Sequence, residues 1–145
     1  MKKNGTIVEY IRNDLMKSED LSCSETMLHA ADRVYGLDLS PQAFKLASGF
    51  GGGMGVQGTC GAITGGLMAL GVLFIKDRAH ESTYLKELEQ ELFQEFREKL
   101  GSTDCSYLKE RYEDADGTCK PLVLKVAQIF ETLIDRELAR AGSLS

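Results

Sequence analysis

Four cysteines, Cys23, Cys60, Cys105 and Cys119, are the residues best suited to carry chemistry in this chain of 145 residues. Cysteine thiolates are nucleophiles and soft metal ligands. The intervals between them contain 36, 44 and 13 residues, and no Cys-x-x-Cys pair occurs. Spacing alone therefore does not identify a metal site.

The position of the cysteines relative to the predicted helices is more informative, because each lies in the first turn of one. Ser22, in a capping box with Glu25, precedes Cys23, and Thr59 precedes Cys60. Ser102, Thr103 and Asp104 can cap the helix that begins near Cys105, and either Thr118 or Cys119 caps the last helix. A helix N-terminus carries partial positive charge and unpaired N–H groups, which favour a thiolate over a thiol. Four such N-termini meeting at one point would form a cage of sulfur ligands.

The residues alone leave three interpretations open. In the first, the four cysteines share one site that holds an iron–sulfur cluster or another metal, with N–H···S bonds that tune its potential. In the second, they are separate redox-active or disulfide-forming thiols, with Cys60 as the expected low-pKa nucleophile. The third interpretation treats them as small buried core residues without chemistry.

Glycine is concentrated near the second cysteine, since ten of the fifteen glycines lie between Gly49 and Gly71. The segment 49–58 is too rich in glycine for a regular element and predicts a loop. It lacks the phosphate-binding motif of nucleotide sites, and no predicted strand precedes it. We expect Gly52 and Gly53 of this loop, together with Gly61, to lie close to a cofactor at the cysteines and to offer backbone N–H groups.

The spacing of apolar residues predicts helices over about 5–17, 22–35, 40–48, 60–75, 81–100, 104–112 and 119–139, and no strand. The sequence therefore predicts an all-α, single-domain helical bundle of five to seven helices with a Gly-rich loop. The domain is expected to span 1–145, with its core in 5–139. The helix over 60–75 is apolar on every side and is expected to be buried, and its glycines would also permit close packing in a homodimer.

The composition argues against some classes of binding partner and against a membrane location. The formal net charge is −5 and Lys and Arg form no cluster, which argues against a nucleic-acid partner. The longest apolar run, 65–75, is shorter than the roughly 20 residues that span a bilayer. No signal-peptide pattern is evident, so we expect a cytoplasmic protein without a membrane segment. In that reducing compartment, cysteines indicate metal binding or redox chemistry before structural disulfides.

Several of these segments together resemble a known family. They are Ser22-Cys23, the glycine block over 46–55, Cys60-Gly61-Ala62-Ile63-Thr64-Gly65, Asp104-Cys105 and Cys119. Over about residues 20–135 the chain resembles the small redox-active proteins known by the pattern C_GCAxxG_C_C, although it reads Cys-Gly-Ala where that pattern has Gly-Cys-Ala. The family is similar to a domain of multihaem cytochromes with which an iron–sulfur site is associated. The resemblance implies a cysteine-ligated centre, but not haem, because C-x-x-C-H is absent.

We therefore expect Cys23, Cys60, Cys105 and Cys119 to ligate an iron–sulfur cluster, in the first instance [2Fe–2S], for electron transfer with a redox partner protein. Two alternatives are retained. One is a thiol–disulfide redox protein in which Cys60 is the catalytic nucleophile and a second cysteine resolves it. The other is a zinc-stabilised interaction module without enzymatic activity.

Overall fold

A computed structural model describes residues 3–142, and within that range the protein is a single all-α domain without a strand. Eight α-helices follow one another along the chain. They are α1 (Ile7–Arg12), α2 (Leu15–Ser18), α3 (Cys23–Tyr35), α4 (Pro41–Lys45), α5 (Gly61–Phe74), α6 (Tyr84–Leu100), α7 (Cys105–Tyr112) and α8 (Lys120–Arg140). The predicted fold class is confirmed.

The described range contains one helix more than the five to seven predicted, because the expected helix over 5–17 is two helices. Asp14 has a left-handed backbone (φ 64°) and separates α1 from α2. Aspartate tolerates this conformation better than most side chains, and apolar spacing does not register such a break. Residues 1–2 and 143–145 of the expected 1–145 domain lie outside the described range.

The closest helix packing joins α3 to α5 and depends on glycine. A Cβ atom on Gly65 would lie 2.3 Å from the carbonyl oxygen of Ser24 on α3. On Gly66 it would lie 2.3 Å from the ring of Phe130, which is fully buried on α8. The two missing side chains therefore set how near α5 approaches both neighbours.

The long helices α6 and α8 bury the apolar faces that their spacing predicts. The buried residues of the predicted stripes are Leu88, Leu92, Phe96 and Leu100 on α6, and Leu122, Val126, Ile129 and Leu133 on α8. Glu131 of α8 is also buried, and it accepts hydrogen bonds from the backbone N–H groups of Ile7 (2.9 Å) and Val8 (3.3 Å). A carboxylate at the start of α1 satisfies donors that the helix itself leaves unpaired.

The expectation that the helix over 60–75 is buried on every side is wrong for its C-terminal half. Ala62, Ile63 and Leu70 are fully buried, whereas the Val72 residue is 46% exposed. The neighbours of α5 cover its N-terminal half and leave one face of its end in solvent. No helix among residues 3–142 has the length and hydropathy needed to cross a bilayer.

A first prediction concerns the α3–α5 contact. We expect Gly65→Ala to lower the free energy of unfolding by about 1–3 kcal/mol, because overpacking forces two backbones apart. Gly71→Ala is the matched control on the same helix, since a Cβ there has no atom within 4 Å. That control should raise stability by about 0.5–1 kcal/mol, the cost of glycine inside a helix. Urea unfolding measures both, and equal effects would contradict the packing argument.

A buried carboxylate on α8 forms a hydrogen bond to α6. The carboxylate of Glu137 is buried and accepts hydrogen bonds from the Tyr84 hydroxyl (2.6 Å), Arg136 Nε (2.8 Å) and Arg140 Nη1 (3.0 Å). Burial by itself would raise the pKa of Glu137, but the hydroxyl of Tyr84 and the charge of Arg136 outweigh it and hold that pKa below the ordinary value of 4.5. The folded state therefore favours the charged form.

This gives a prediction for the pH dependence of stability. Because the folded pKa of Glu137 is depressed, its stabilising contribution is present above pH 4.5 and is lost as the pH falls through the folded pKa. We expect Glu137→Gln to cost about 1.5–3 kcal/mol at neutral pH, the range for hydrogen bonds to a charged group. The cost should shrink toward acid, as measured by urea unfolding across the acid range. A cost that stays constant with pH would contradict this assignment.

Candidate functional site

All four cysteines lie at the start of a helix, as the sequence predicts. Cys23 and Cys105 are the first residues of α3 and α7. Cys60 and Cys119 occupy the cap positions of α5 and α8, one residue earlier than a first-turn position. Ser22 caps α3 in the predicted capping box with Glu25. Thr59, in contrast, is not the cap of α5.

Thr59 instead takes part in a short pairing between two distant segments. It forms an isolated antiparallel bridge with Asp104. On either side of that bridge, the N–H of Cys60 donates to the Thr103 carbonyl (2.8 Å) and the N–H of Cys105 donates to the Gly58 carbonyl (2.5 Å). The two cysteines are thus tied together through backbone hydrogen bonds, although 44 residues separate them along the chain.

Glycines bring two further parts of the chain onto the cysteines. A Cβ on Gly61 would lie 2.4 Å from Cys23 Sγ and 2.8 Å from the Phe50 carbonyl oxygen, so Cys23 and the loop both occupy the space that a side chain would fill. Gly53 has φ 61° and presses against Cys105, whose Cβ would lie 2.8 Å from an added methyl group. A Cβ on Gly52 would meet no atom within 4 Å. Of the three glycines predicted at the site, the structure brings Gly53 and Gly61 to the cysteines.

Burial raises the pKa of three of the four cysteines. It is the largest cause of the raised pKa at Cys60, Cys105 and Cys119, and the charge of Cys23 adds to it at all three. The charge of Cys105 has the same effect on Cys60 and Cys119. Both causes favour the neutral thiol in the protein.

The expectation of a low pKa at Cys60 is wrong for the protein without a ligand. Cys60 is 3% exposed, and this burial raises its pKa to about 12. The N–H groups of Ile63 and Ala62 lower the pKa, as a helix start predicts, but desolvation outweighs them. A neutral buried thiol is a weak nucleophile, which argues against Cys60 as the attacking thiol in disulfide exchange.

The four thiols are all free. Cys60 and Cys105 are buried, whereas Cys23 and Cys119 are partly exposed. Within residues 3–142, no three His, Cys, Asp or Glu side chains are grouped so as to hold one metal ion. The chemistry of the donors nevertheless fits an iron–sulfur cluster, because all four candidate ligands are cysteine thiols at helix starts, and four cysteines are the usual ligands of such clusters. Gly61 also lets Cys23 and the loop approach the start of α5 more closely than any other residue would allow.

Two contributors to this site lie beyond what periodicity could reveal. The first is the pairing of 58–60 with 103–105, which involves residues distant in sequence. The second is the Phe50 carbonyl oxygen, which lies against the start of α5. The density of glycine signalled a close approach of the loop, but it did not show which atoms approach.

Thiol reactivity provides a prediction for the reduced, metal-free protein. We expect Cys60 to be alkylated most slowly by iodoacetamide near pH 8. A pKa of about 12, against the ordinary 9.0, lowers its thiolate fraction roughly a thousandfold. The partly exposed Cys23 and Cys119 should react first. Peptide mapping by mass spectrometry over time measures the order, and early labelling of Cys60 would contradict the burial argument.

The four cysteines lie in a region that matches a known protein family. The family model described as "Putative redox-active protein (C_GCAxxG_C_C)" matches residues 21–133, which include all four cysteines and the glycine loop. No curated protein and no solved structure matches the chain. Since the matched region covers most of the sequence, the chain belongs to the C_GCAxxG_C_C family of redox-active proteins.

Proposed function

We propose that Cys23, Cys60, Cys105 and Cys119 together ligate an iron–sulfur cluster, [2Fe–2S] in the first instance, and that the protein transfers electrons to and from a partner protein. One observation carries the proposal: backbone hydrogen bonds tie Cys60 and Cys105 together, and Cys23 Sγ lies against Gly61, the residue next to Cys60. When bound, such a cluster supplies reversible electron uptake at a potential set by its surroundings.

The family's redox character favours iron and sulfide over zinc. Zinc has no redox chemistry in proteins, so a zinc-stabilised module would leave that character unexplained. Thiol–disulfide exchange is the other alternative, and it requires an accessible thiolate. Burial of Cys60 and its raised pKa oppose that requirement. Loss of a thiol proton on metal binding would overcome the same desolvation cost.

The residues around the cysteines have distinct roles in this proposal. The N–H groups of Ala62 and Ile63 act on Cys60 and lower its pKa, so they would equally stabilise a ligated thiolate. Burial of Cys60 and Cys105 would exclude water from one side of the centre. The partly exposed Cys23 would give electrons a short path to the surface.

We place the protein in the cytoplasm as part of the same proposal. All four cysteines are free, and thiols persist in reducing compartments. A cluster held by thiolates would also be protected there from oxidation.

The test is a spectrum with metal and sulfide analysis on protein purified without oxygen. We expect a brown protein whose visible absorption bleaches on reduction, with iron and acid-labile sulfide in equal amounts. A colourless protein that contains zinc would overturn the proposal in favour of an interaction module. A metal-free protein with one rapidly alkylated cysteine would overturn it in favour of thiol chemistry.

A variant pair tests whether the centre depends on the space beside Cys23. We expect Gly61→Ala to lose most of the bound iron, because a methyl group there would meet Cys23 Sγ and the Phe50 carbonyl. Gly49→Ala is the matched control in the neighbouring glycine loop, since its Cβ would meet nothing within 4 Å. Both variants should keep their helical circular dichroism. Full iron content in folded Gly61→Ala would refute a centre at this place.

A further inference from the structure

An apolar groove lies between α3, α4, α5 and the segment that leads into α6. It has a volume of about 570 Å³, and every side chain that lines it is nonpolar. Its floor and walls include Leu28, Leu46, Phe50, Met68, Val72 and Ile75. The volume lies in the range of binding clefts for small ligands and peptide side chains.

Large side chains at this groove are left in water. The Leu46 residue is 73% exposed and the Val72 residue is 46% exposed. Gly71 also lines the groove and has no side chain to fill it, and a Cβ there would touch no atom within 4 Å. Contiguous exposed apolar surface of this kind is typical of interaction sites.

Basic residues outnumber acidic ones among the charged residues that neighbour the groove lining in the sequence. Four exposed basic residues directly adjoin lining residues in the sequence: Lys45, Lys76, Arg78 and Lys86. None of these four forms an ion pair with another residue between 3 and 142. Among acidic residues, only Asp38 is next to a lining residue in the sequence, and Asp77 lies between Lys76 and Arg78. Glu81 is engaged with backbone N–H groups of 76, 77 and 78. The net formal charge of the chain is −5.

We infer that this groove docks an amphipathic helix of a partner protein, with apolar side chains on its contact face and acidic side chains along its edges. An apolar helix face in an apolar groove is a common mode of peptide recognition. The unpaired bases would meet the acidic edges and would select against basic or neutral helices. Complementary charge would also speed the encounter between the two proteins.

The groove shares α3 and α5 with two of the cysteines, and a role for its occupant in electron exchange rests on the proposed function. Leu28 lies five residues after Cys23 on α3, which corresponds to about 7.5 Å along the helix. Phe50 lines the groove while its carbonyl oxygen lies against Gly61. A docked helix would therefore contact α3 and α5, the two helices that begin at Cys23 and directly after Cys60.

The probe is a fluorescent synthetic helix of about 18 residues, roughly five turns. It has leucines on one face and glutamates on both flanks, and a second peptide has lysine at each glutamate. Fluorescence anisotropy with the full-length protein, purified without oxygen, measures affinity. We expect the acidic peptide to bind at least about tenfold more tightly than the basic one and to weaken with added salt. Equal affinity for the two peptides, or no binding of the acidic one, would overturn the proposal.

Matched substitutions locate the binding. Val72→Asp should reduce the affinity for the acidic peptide at least about tenfold. Val56→Asp is the matched control, because Val56 is 79% exposed and does not line the groove, and it should leave that affinity unchanged. Lys86→Glu should weaken binding relative to the equivalent change Lys17→Glu. Circular dichroism checks that the variants fold. Equal losses in both members of a pair would place the binding elsewhere and refute the groove.

Two further measurements separate the outcomes. Sedimentation of the wild type and Val72→Asp measures self-association. A dimer that this substitution dissociates would show that a second copy of the chain covers the groove, contrary to the proposal.

The iron content of the same samples separates the docking hypothesis from the cluster hypothesis. Peptide binding with no iron would refute the cluster alone, and iron without peptide binding would refute the docking alone.

Discussion

The close approach of α3 and α5 is the constraint on which the rest of the structure depends. It requires glycine at two successive turns of α5, because Gly61 faces Cys23 and Gly65 faces the backbone of Ser24. Packing at this distance brings the starts of the two helices together and turns Cys23 toward Cys60. Side chains at these positions would separate the helices and, with them, two of the four sulfur atoms. The glycines are therefore as much a part of the site as the cysteines.

Two opposing effects act on the buried thiols. A helix start offers N–H groups that favour a thiolate, and the groups of Ala62 and Ile63 do so at Cys60. Burial disfavours charge, and at Cys60 it prevails. Where the cost of desolvating a thiolate exceeds its stabilisation by hydrogen bonds, the thiol stays protonated and is poorly suited to nucleophilic attack. It is better suited to a cation that replaces the proton, since the same N–H groups would then act on a neutralised sulfur.

The sequence predicted those parts of the fold that depend on local interactions. Apolar spacing located the helices, and the capping box of Ser22 and Glu25 located the start of α3 to the residue. The parts it missed depend on residues distant along the chain or on single backbone angles. Thr59 looked like a cap because its type favours one, but pairing with Asp104 moved the helix start to Cys60. The convergence of four helix starts was a hypothesis that local pattern could raise but not establish, since tertiary packing decides where each helix begins in space.

The apolar character of α5 explains why the cysteines and the groove are found together. A helix with nonpolar residues on every side must bury all of its surface or expose some of it. Gly61 and Gly65 allow α3 to pack closely against the N-terminal half, but coverage ends before Val72. The remaining apolar face would be a liability in an isolated protein. The unpaired basic residues next to this face oppose its association with an uncharged apolar surface. Burial would remove water from each basic group, and this is costly unless an acidic group of the partner pairs with it. The chain thus presents a surface beside its redox-family cysteines that is favourable only to a partner carrying the complementary charge.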